Sequence, residues 1–303
     1  MGKQQQSKAR RLRELIGRGT VMMPGAFNAL VALQIERVGF QALYVSGAGL
    51  AACRGLPDIG LLSMSEVVSD AATIANAVAI PALADADTGY GPPLAVMRTV
   101  RAFERAGLAG LHLEDQEIPK KCGHLSGKRL VPATEMARKI GAAAEARQDP
   151  DFLIVARTDA RAVEGLEAAV RRAQRYAQAG ADLIFPEALE SGEEFRAFAQ
   201  GLAKVGVKLP LVANMTEFGK TPYLTVREFE DLGYRLVLFP VTALRVASQA
   251  IEKMLLDLKT LGTQRNSLGV MQTRQQLYEL LRYEDYDKQD GHLHERYGRE
   301  IKD

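Results

Sequence analysis

Residues 120–124, KKCGH, place a thiol between two lysines and a histidine in a chain that has only two cysteines. A structural cysteine keeps apolar company, whereas cationic neighbours stabilise the thiolate, the form that attacks carbon or accepts a proton. Lys120, Lys121 and a protonated His124 are therefore expected to lower the Cys122 pKa and hold the thiol beside an anionic substrate, as nucleophile or as proton donor. Gly123 gives that loop flexibility and close backbone approach. The second chemical element is ADADTGYG (84–91). Asp85 and Asp87, at i and i+2, can face one side at a strand end. Hard oxygen donors there suit Mg2+ or Mn2+, which bind through few carboxylates and keep several waters. Asp58 in GLPDIG and Glu114 in LHLED complete an outer shell through water. The plain alternative is an Asx turn, with Asp87 capping the segment that follows. The third element is Arg157 in VARTDA, whose rigid fork matches a carboxylate or phosphate. An acidic substrate follows if Arg157 is its clamp; a buried ion pair with Glu187 or Asp159 is the other reading.

Something must bring these groups together. Eight apolar runs recur along the chain: TVMMPG (20–25), ALYVS (42–46), IPALAD (80–85), AGLHLE (109–114), FLIVART (152–158), ADLIFPE (181–187), LPLVAN (209–214) and YRLVLFP (234–240). Amphipathic stretches with helical spacing, such as 65–78, 93–107 and 163–180, separate most of them. Short continuous apolar strands alternating with helices indicate parallel strands buried on both faces. Glycine closes the helix before five of the strands, at Gly39, Gly107, Gly180, Gly206 and Gly233. Repeated units of this kind predict an α/β fold, a (β/α)8 barrel. An open doubly wound sheet is less favoured, because no Gly-rich dinucleotide fingerprint follows the first strand. Barrel enzymes do their chemistry at the C-terminal ends of the strands. Here those ends carry Ser46, Asp85 with Asp87, Glu114 with Asp115, Arg157 with Asp159, Glu187, and Asn214 with Thr216. Any one of these is as well explained by a helix cap or a loop ion pair, but their convergence on consecutive units points to a site. Cys122 falls in a long loop before the helical stretch 134–146, the position of a lid.

The remaining polar candidates read as structural. Cys53 in AACRG is expected to be structural, His112 inside an apolar strand to be a satisfied core residue, and His292 and His294 to be solvated in a polar tail. No His/Cys cluster has zinc spacing. The 303 residues carry 39 basic and 37 acidic side chains, a net charge of +2, which argues against a nucleic-acid partner or an anionic membrane surface. The densest basic run, KARRLR (8–13), reads as a solvated helix start. No apolar run approaches the roughly eighteen residues of a transmembrane helix, and no secretory segment is visible at the N-terminus. A reducing cytoplasm is the expected location; a matrix protein without its transit peptide is the alternative. After the last strand, 242–262 and 271–289 exceed what a minimal barrel needs, so residues 1–303 are expected to be one barrel domain with a helical extension from about 242. Leu277, Leu280 and Leu281 give the second stretch an apolar face that needs a partner.

The motifs together are recognisable. LHLEDQ followed by KKCGH resembles the active-site motif of the isocitrate lyase/phosphoenolpyruvate mutase superfamily, most closely its 2-methylisocitrate-cleaving branch. The resemblance runs through MPGAFNALVALQIERVGFQALYVSG, GLPDIG, DADTGYG, VARTDA, VEGLEAA, FPEA, NMTEFG and TPYLT to MQTRQQLYELL, almost the whole chain. It implies a (β/α)8 barrel whose eighth helix is exchanged between subunits, giving a homodimer or homotetramer. It also implies a Mg2+ cofactor (Mn2+ is possible), a small tricarboxylate substrate and cleavage of (2S,3R)-2-methylisocitrate to pyruvate and succinate, a step of the 2-methylcitrate cycle of propionate catabolism. The matching positions are Asp85 and Asp87 for the metal, with Asp58 and Glu114 around it. Ser46, Gly47, Ala48, Gly123, His124, Arg157, Glu187, Asn214, Met215, Thr216, Arg245 and Arg274 match substrate-binding positions. Cys122 matches the catalytic cysteine, and Tyr44 and a metal-bound water near Asp58 are the candidates for the base that takes the hydroxyl proton. This sequence has SGAG where the branch commonly has SGGG, so Ala48 either narrows the pocket or changes nothing. Isocitrate lyase, or another superfamily C–C lyase acting on a related 2-hydroxy acid, is the alternative activity. A non-catalytic barrel is the alternative class, and the intact acids and Cys122 argue against it.

Overall fold

The eight apolar runs become eight strands of one closed parallel barrel in sequence order, in a computed structural model that describes residues 6–297. They are β1 Val21–Ala26, β2 Leu43–Val45, β3 Ala82–Asp85, β4 Gly110–Glu114, β5 Leu153–Thr158, β6 Leu183–Pro186, β7 Leu211–Asn214 and β8 Tyr234–Phe239. The barrel closes where β1 pairs with β8, Val21 opposite Leu236 and Pro24 opposite Phe239. Alternation along each strand sorts the side chains into two cores. One lies between strands and helices, with Leu43, Ala82, Leu111, Ile154 and Ile184. The other contains Met23, Tyr44, Leu83, Val155, Phe185, Val212 and Leu238. This burial on both faces is why the strands read as unbroken apolar runs.

The five glycines before strands all take positive φ, from +80° at Gly206 to +106° at Gly180. A Cβ would be strained in that conformation, so glycine is what lets each helix stop and turn into the next strand.

The N-terminal basic run does more than start a solvated helix. The helix Lys8–Arg18 buries Leu12 completely and contributes Ala9, Leu12 and Ile16 to the core shared with Met23 and Tyr44. Two of its cations face inward: Lys8 Nζ donates to the carbonyls of Ala75 (2.5 Å) and Val78 (2.8 Å), and Arg13 Nη2 pairs with Asp182 at 2.8 Å. The helix therefore closes the barrel at the end opposite its catalytic mouth, and its charges satisfy exposed carbonyls there.

The chain divides into two compact units, Met1–Arg245 and Val246–Asp303. The helix Thr242–Leu261 has no buried residue. The stretch 271–289 is not continuous: it forms Arg274–Leu280 and Tyr283–Tyr297, with Arg282 between them in the left-handed region at φ 55°. Of its leucines only Leu280 is buried, and Leu281 is 43 % exposed. Among the described residues no helix is long and apolar enough to cross a membrane.

Candidate active site

The acidic wall starts at the end of β3. Asp85 Oδ1 accepts the backbone N–H of Asp87 at 2.9 Å, and this turn drives Asp87 to φ 46°, a conformation few non-glycine residues adopt. An Asx-type turn is thus present, but Asp85 forms it, and the Asp87 carboxylate instead meets the Lys120 ammonium at 2.8 Å. Gly47 packs against Asp85 so closely that a Cβ there would lie 2.8 Å from Oδ2. Ser46 caps the helix Gly47–Cys53, its hydroxyl accepting from the Gly49 N–H at 3.3 Å. Tyr44, projecting inward from β2, donates toward Asp85 Oδ2 at 3.4 Å and lies 2.7 Å from His112 Nε2. His112 is fully buried, but it stacks on Tyr44 and sits 3.5 Å from Asp85 Oδ1. The core position read from its apolar strand is thus found, with Tyr44 and Asp85 as its polar neighbours. Burial, reinforced by the Asp85 charge, pushes the Tyr44 phenol well above its ordinary range, so Tyr44 is better suited to donate a hydrogen bond than to serve as a base.

Arg157 ends β5 in the middle of three carboxylates. Its Nε lies 3.0 Å from Asp159 and 3.2 Å from Glu114, and its Nη1 lies 3.6 Å from Glu187. Both buried ion pairs weighed from the sequence are present, and Arg157 still lines the cavity. Glu187, at the end of β6, also meets Asn214 Nδ2 at 3.2 Å and His124 Nε2 at 3.2 Å. Burial alone would raise its pKa, but Arg157, then His124 and Lys128, outweigh that and hold Glu187 well below the usual carboxylate range. Thr216 and Arg245 complete this wall; Arg245 faces Glu217 at 3.5 Å and lies over the Phe218 ring. Met215 does not join them. It is buried in the core, where its sulfur accepts from the Leu224 N–H at 3.4 Å, because alternation along β7 turns it away from its neighbours Asn214 and Thr216. Arg274 belongs to the second unit, where it lines a surface cavity with Tyr278, Arg282 and Tyr283.

The loop after β4 lies across the mouth. Gln116 braces it by donating to the Lys121 carbonyl at 2.8 Å and accepting from the Lys121 N–H at 2.9 Å. Behind it, His124 Nδ1 accepts the Lys220 N–H at 3.0 Å, which leaves the ring proton on Nε2, beside Glu187. Lys120 does not serve the thiol. Its ammonium reaches across to Asp58 and to Asp87 (2.8 Å), while Lys121 is exposed. Cys122 is governed by burial, which pushes the thiol above its ordinary pKa; the His124 backbone N–H and the Arg157 charge oppose this, and the Glu187 charge adds to it. The lowering of the thiol pKa expected from the sequence is therefore replaced by a raising. Under the closed loop the cavity is only about 100 Å3. Ligand pockets are typically roughly 300–1,000 Å3, so the loop must move to admit a substrate. Tyr44, Ser46, Ala48, Asp58, Asp85, Cys122, Gly123, His124, Arg157, Glu187, Asn214, Thr216 and Arg245 all line this one space.

The charges at this mouth do not balance. Among the described residues, Asp58, Asp85, Asp87, Glu114, Asp159 and Glu187 pair with three lysine or arginine cations, Lys120, Lys128 and Arg157, while His112 lies by Asp85 and His124 by Glu187. The excess appears as strain on the acids: burial and the neighbouring Asp85 raise Asp87 to about 6, and burial raises Glu114 well above its usual value. Glu114 Oε1 is buried with no hydrogen-bond partner. Among the described residues no group of three His, Cys, Asp or Glu side chains is placed to hold an ion alone. Together these features fit a hard divalent cation that takes one or two carboxylates directly and keeps its waters.

The family model for phosphoenolpyruvate phosphomutase matches residues 12–259. The 2-methylisocitrate lyase of Aeropyrum pernix is 52% identical over 283 residues, covering 93% of this chain and 90% of that protein. Among solved structures, that of 2,3-dimethylmalate lyase, a PEP mutase/isocitrate lyase superfamily member, superposes with a TM-score of 0.88 at 36% identity, covering 95% of both chains. Phosphonopyruvate hydrolase, solved with oxalate and Mg2+, gives a TM-score of 0.85 at 32% identity, covering 96% of this chain and 99% of that one.

Proposed function

This chain is an enzyme of the phosphoenolpyruvate mutase/isocitrate lyase superfamily, and from that premise we propose that it cleaves (2S,3R)-2-methylisocitrate to pyruvate and succinate with a divalent metal. One observation supports this above the others. A lid bearing Cys122 covers a cavity with an acid wall on one side and Arg157, Asn214, Thr216 and Arg245 on the other. That is what breaking a C–C bond next to carboxylates requires: a place for charge to develop, anchors for the acids and a proton carrier over the carbon.

In this reading Asp85 and Asp87 would hold Mg2+ or Mn2+, with Asp58 and Glu114 around them. Bound there, it supplies positive charge for the oxygens on which negative charge develops. Arg157, Asn214, Thr216 and Arg245 bind and orient the substrate carboxylates, and Tyr44 donates to an oxygen at the acid wall. The C2 hydroxyl loses its proton, which a water could relay to the Asp58 carboxylate lining the same cavity. The C2–C3 electron pair then moves to C3 as C2 becomes the keto carbon of pyruvate. Cys122 Sγ delivers its proton to C3, completing succinate; in reverse its thiolate removes that proton. The raised thiol pKa suits this, since the forward reaction needs Cys122 protonated. Lys120 ties the lid to the acid wall through Asp58 and Asp87.

The finer biology belongs to the same proposal: a step of the 2-methylcitrate cycle of propionate breakdown, carried out in the cytoplasm by a homodimer or homotetramer that exchanges C-terminal helices. Ile251, Leu255 and Leu258 form an exposed apolar stripe along Thr242–Leu261, which supports burial against a second copy. The test is pyruvate release from 2-methylisocitrate beside glyoxylate release from isocitrate, each with Mg2+ and with EDTA. Strong preference for the methylated substrate, lost in EDTA, is expected. Equal or better cleavage of isocitrate would overturn the substrate assignment.

A further inference from the structure

Lys128 is the one lid cation whose side chain is wholly withdrawn from water, and nothing in the reaction above uses it. Its side chain is 1% exposed, and its ammonium donates to the Gly123 carbonyl and to Asp159 Oδ1 at 2.7 Å. Asp159 is itself fully buried and rigidly held. Its carboxylate takes Arg157 Nε at 3.0 Å, and its backbone N–H donates to Asp115 at 2.9 Å. Asp115 is in turn fixed by Thr158 Oγ1 (2.7 Å) and the Tyr176 hydroxyl (2.8 Å). An unbroken chain of hydrogen bonds thus runs from the helix Leu166–Gln178 through the ends of β4 and β5 to the carbonyl of Gly123, the residue after Cys122.

A buried ion pair is poor evidence of added stability, because dehydrating both charges offsets most of their attraction. Its value lies in geometry, since a dehydrated ammonium tolerates few positions. Lys128 satisfies two partners at once only when the Gly123 carbonyl sits over Asp159. Lifting Gly123 off the site must break one of these two bonds and expose the ammonium.

We propose that Lys128 is a positioning residue: anchored on Asp159, it latches the lid by the Gly123 carbonyl, fixing Cys122 over the cavity and tying lid closure to the Asp159 that orients Arg157. Its catalytic consequence rests on Cys122 being the proton carrier, whereas the latch itself is independent of the reaction. The experiment separates the two by reading the thiol without substrate. Lys128→Met and Asp159→Asn are alkylated with iodoacetamide, and Cys122 and Cys53 are followed separately by peptide mass spectrometry, Cys53 being exposed and outside the lid. Both variants are expected to alkylate Cys122 at least roughly tenfold faster than the parent, the scale of one lost charge-assisted hydrogen bond, with Cys53 unchanged. In turnover assays kcat is expected to fall more than KM rises. Cys122 protected as in the parent, or Cys53 accelerated equally in both variants, overturns the latch. Parental protein that alkylates as expected but turns over no substrate would instead overturn the functional reading and leave the latch standing.

Discussion

Gly123→Ala is the most informative single perturbation of the lid. With the loop closed, a Cβ at residue 123 would collide with the Glu187 side chain, both its Cγ and its carboxylate. Glu187 cannot step aside cheaply, because Arg157, Asn214 and His124 hold it from three directions. The methyl group is therefore accommodated by lifting the lid. Forcing one extra carbon into a packed interior costs about 1–3 kcal/mol. That cost falls on closure and not on folding, since the open loop has room for a methyl. Closure weakened by this amount reduces kcat/KM roughly 5- to 150-fold. Steady-state assays give this number, and thermal unfolding provides the control, with Tm expected to stay within a degree or two. Activity within twofold of the parent would show that the catalytic state does not pack Gly123 on Glu187. A large loss of Tm would show that the contact belongs to the fold rather than to a moving lid.

Three other outcomes follow from the same geometry. Asp85→Ala is expected to abolish both turnover and Mn2+ binding followed by electron paramagnetic resonance; a variant that still binds Mn2+ tightly places the ion elsewhere. The pH dependence of Cys122 alkylation is expected to inflect above the ordinary thiol value, since burial disfavours the thiolate, so reactivity rises only as pH climbs through that raised pKa. An inflection below neutral pH would restore the cationic tuning that KKCGH suggests as a sequence. Arg157→Lys is expected to raise KM tenfold or more, because an ammonium cannot reproduce the planar fork that meets Asp159, Glu114 and a substrate carboxylate together. Unchanged KM would remove Arg157 from substrate binding.

The barrel was legible because its physics is local. Burial on two faces writes itself as LPLVAN or FLIVART, and a left-handed turn writes itself as the glycine before a strand. Strand-end acids were legible for the same reason: a polar residue that ends an apolar run must face the mouth. What the sequence misplaced were long side chains and long-range partners. Lys120 is two residues from Cys122, yet its ammonium extends to Asp58 and Asp87, so proximity in sequence was mistaken for proximity of charge. His112 reads as core because its neighbours are leucines, and it is core, but its polar neighbours Tyr44 and Asp85 come from other strands. Lys128 and Asp159 are 31 residues apart, and nothing in either local pattern pairs them. KARRLR reads as solvated because cations usually are, while here Lys8 and Arg13 cap carbonyls at the barrel's closed end.

The central claim, that Cys122 carries the proton between solvent and the carbon that becomes succinate, is tested most directly by isotope exchange. Succinate is incubated with enzyme, Mg2+ and pyruvate in D2O, and deuterium incorporation is followed by NMR for the parent and for Cys122→Ser. The parent is expected to exchange one methylene hydrogen of succinate, and Cys122→Ser to lose at least roughly a hundredfold of that rate, the scale of general acid–base catalysis, with its fold and metal binding intact. Exchange at the parental rate in Cys122→Ser would contradict the account and assign the proton to another group in the cavity.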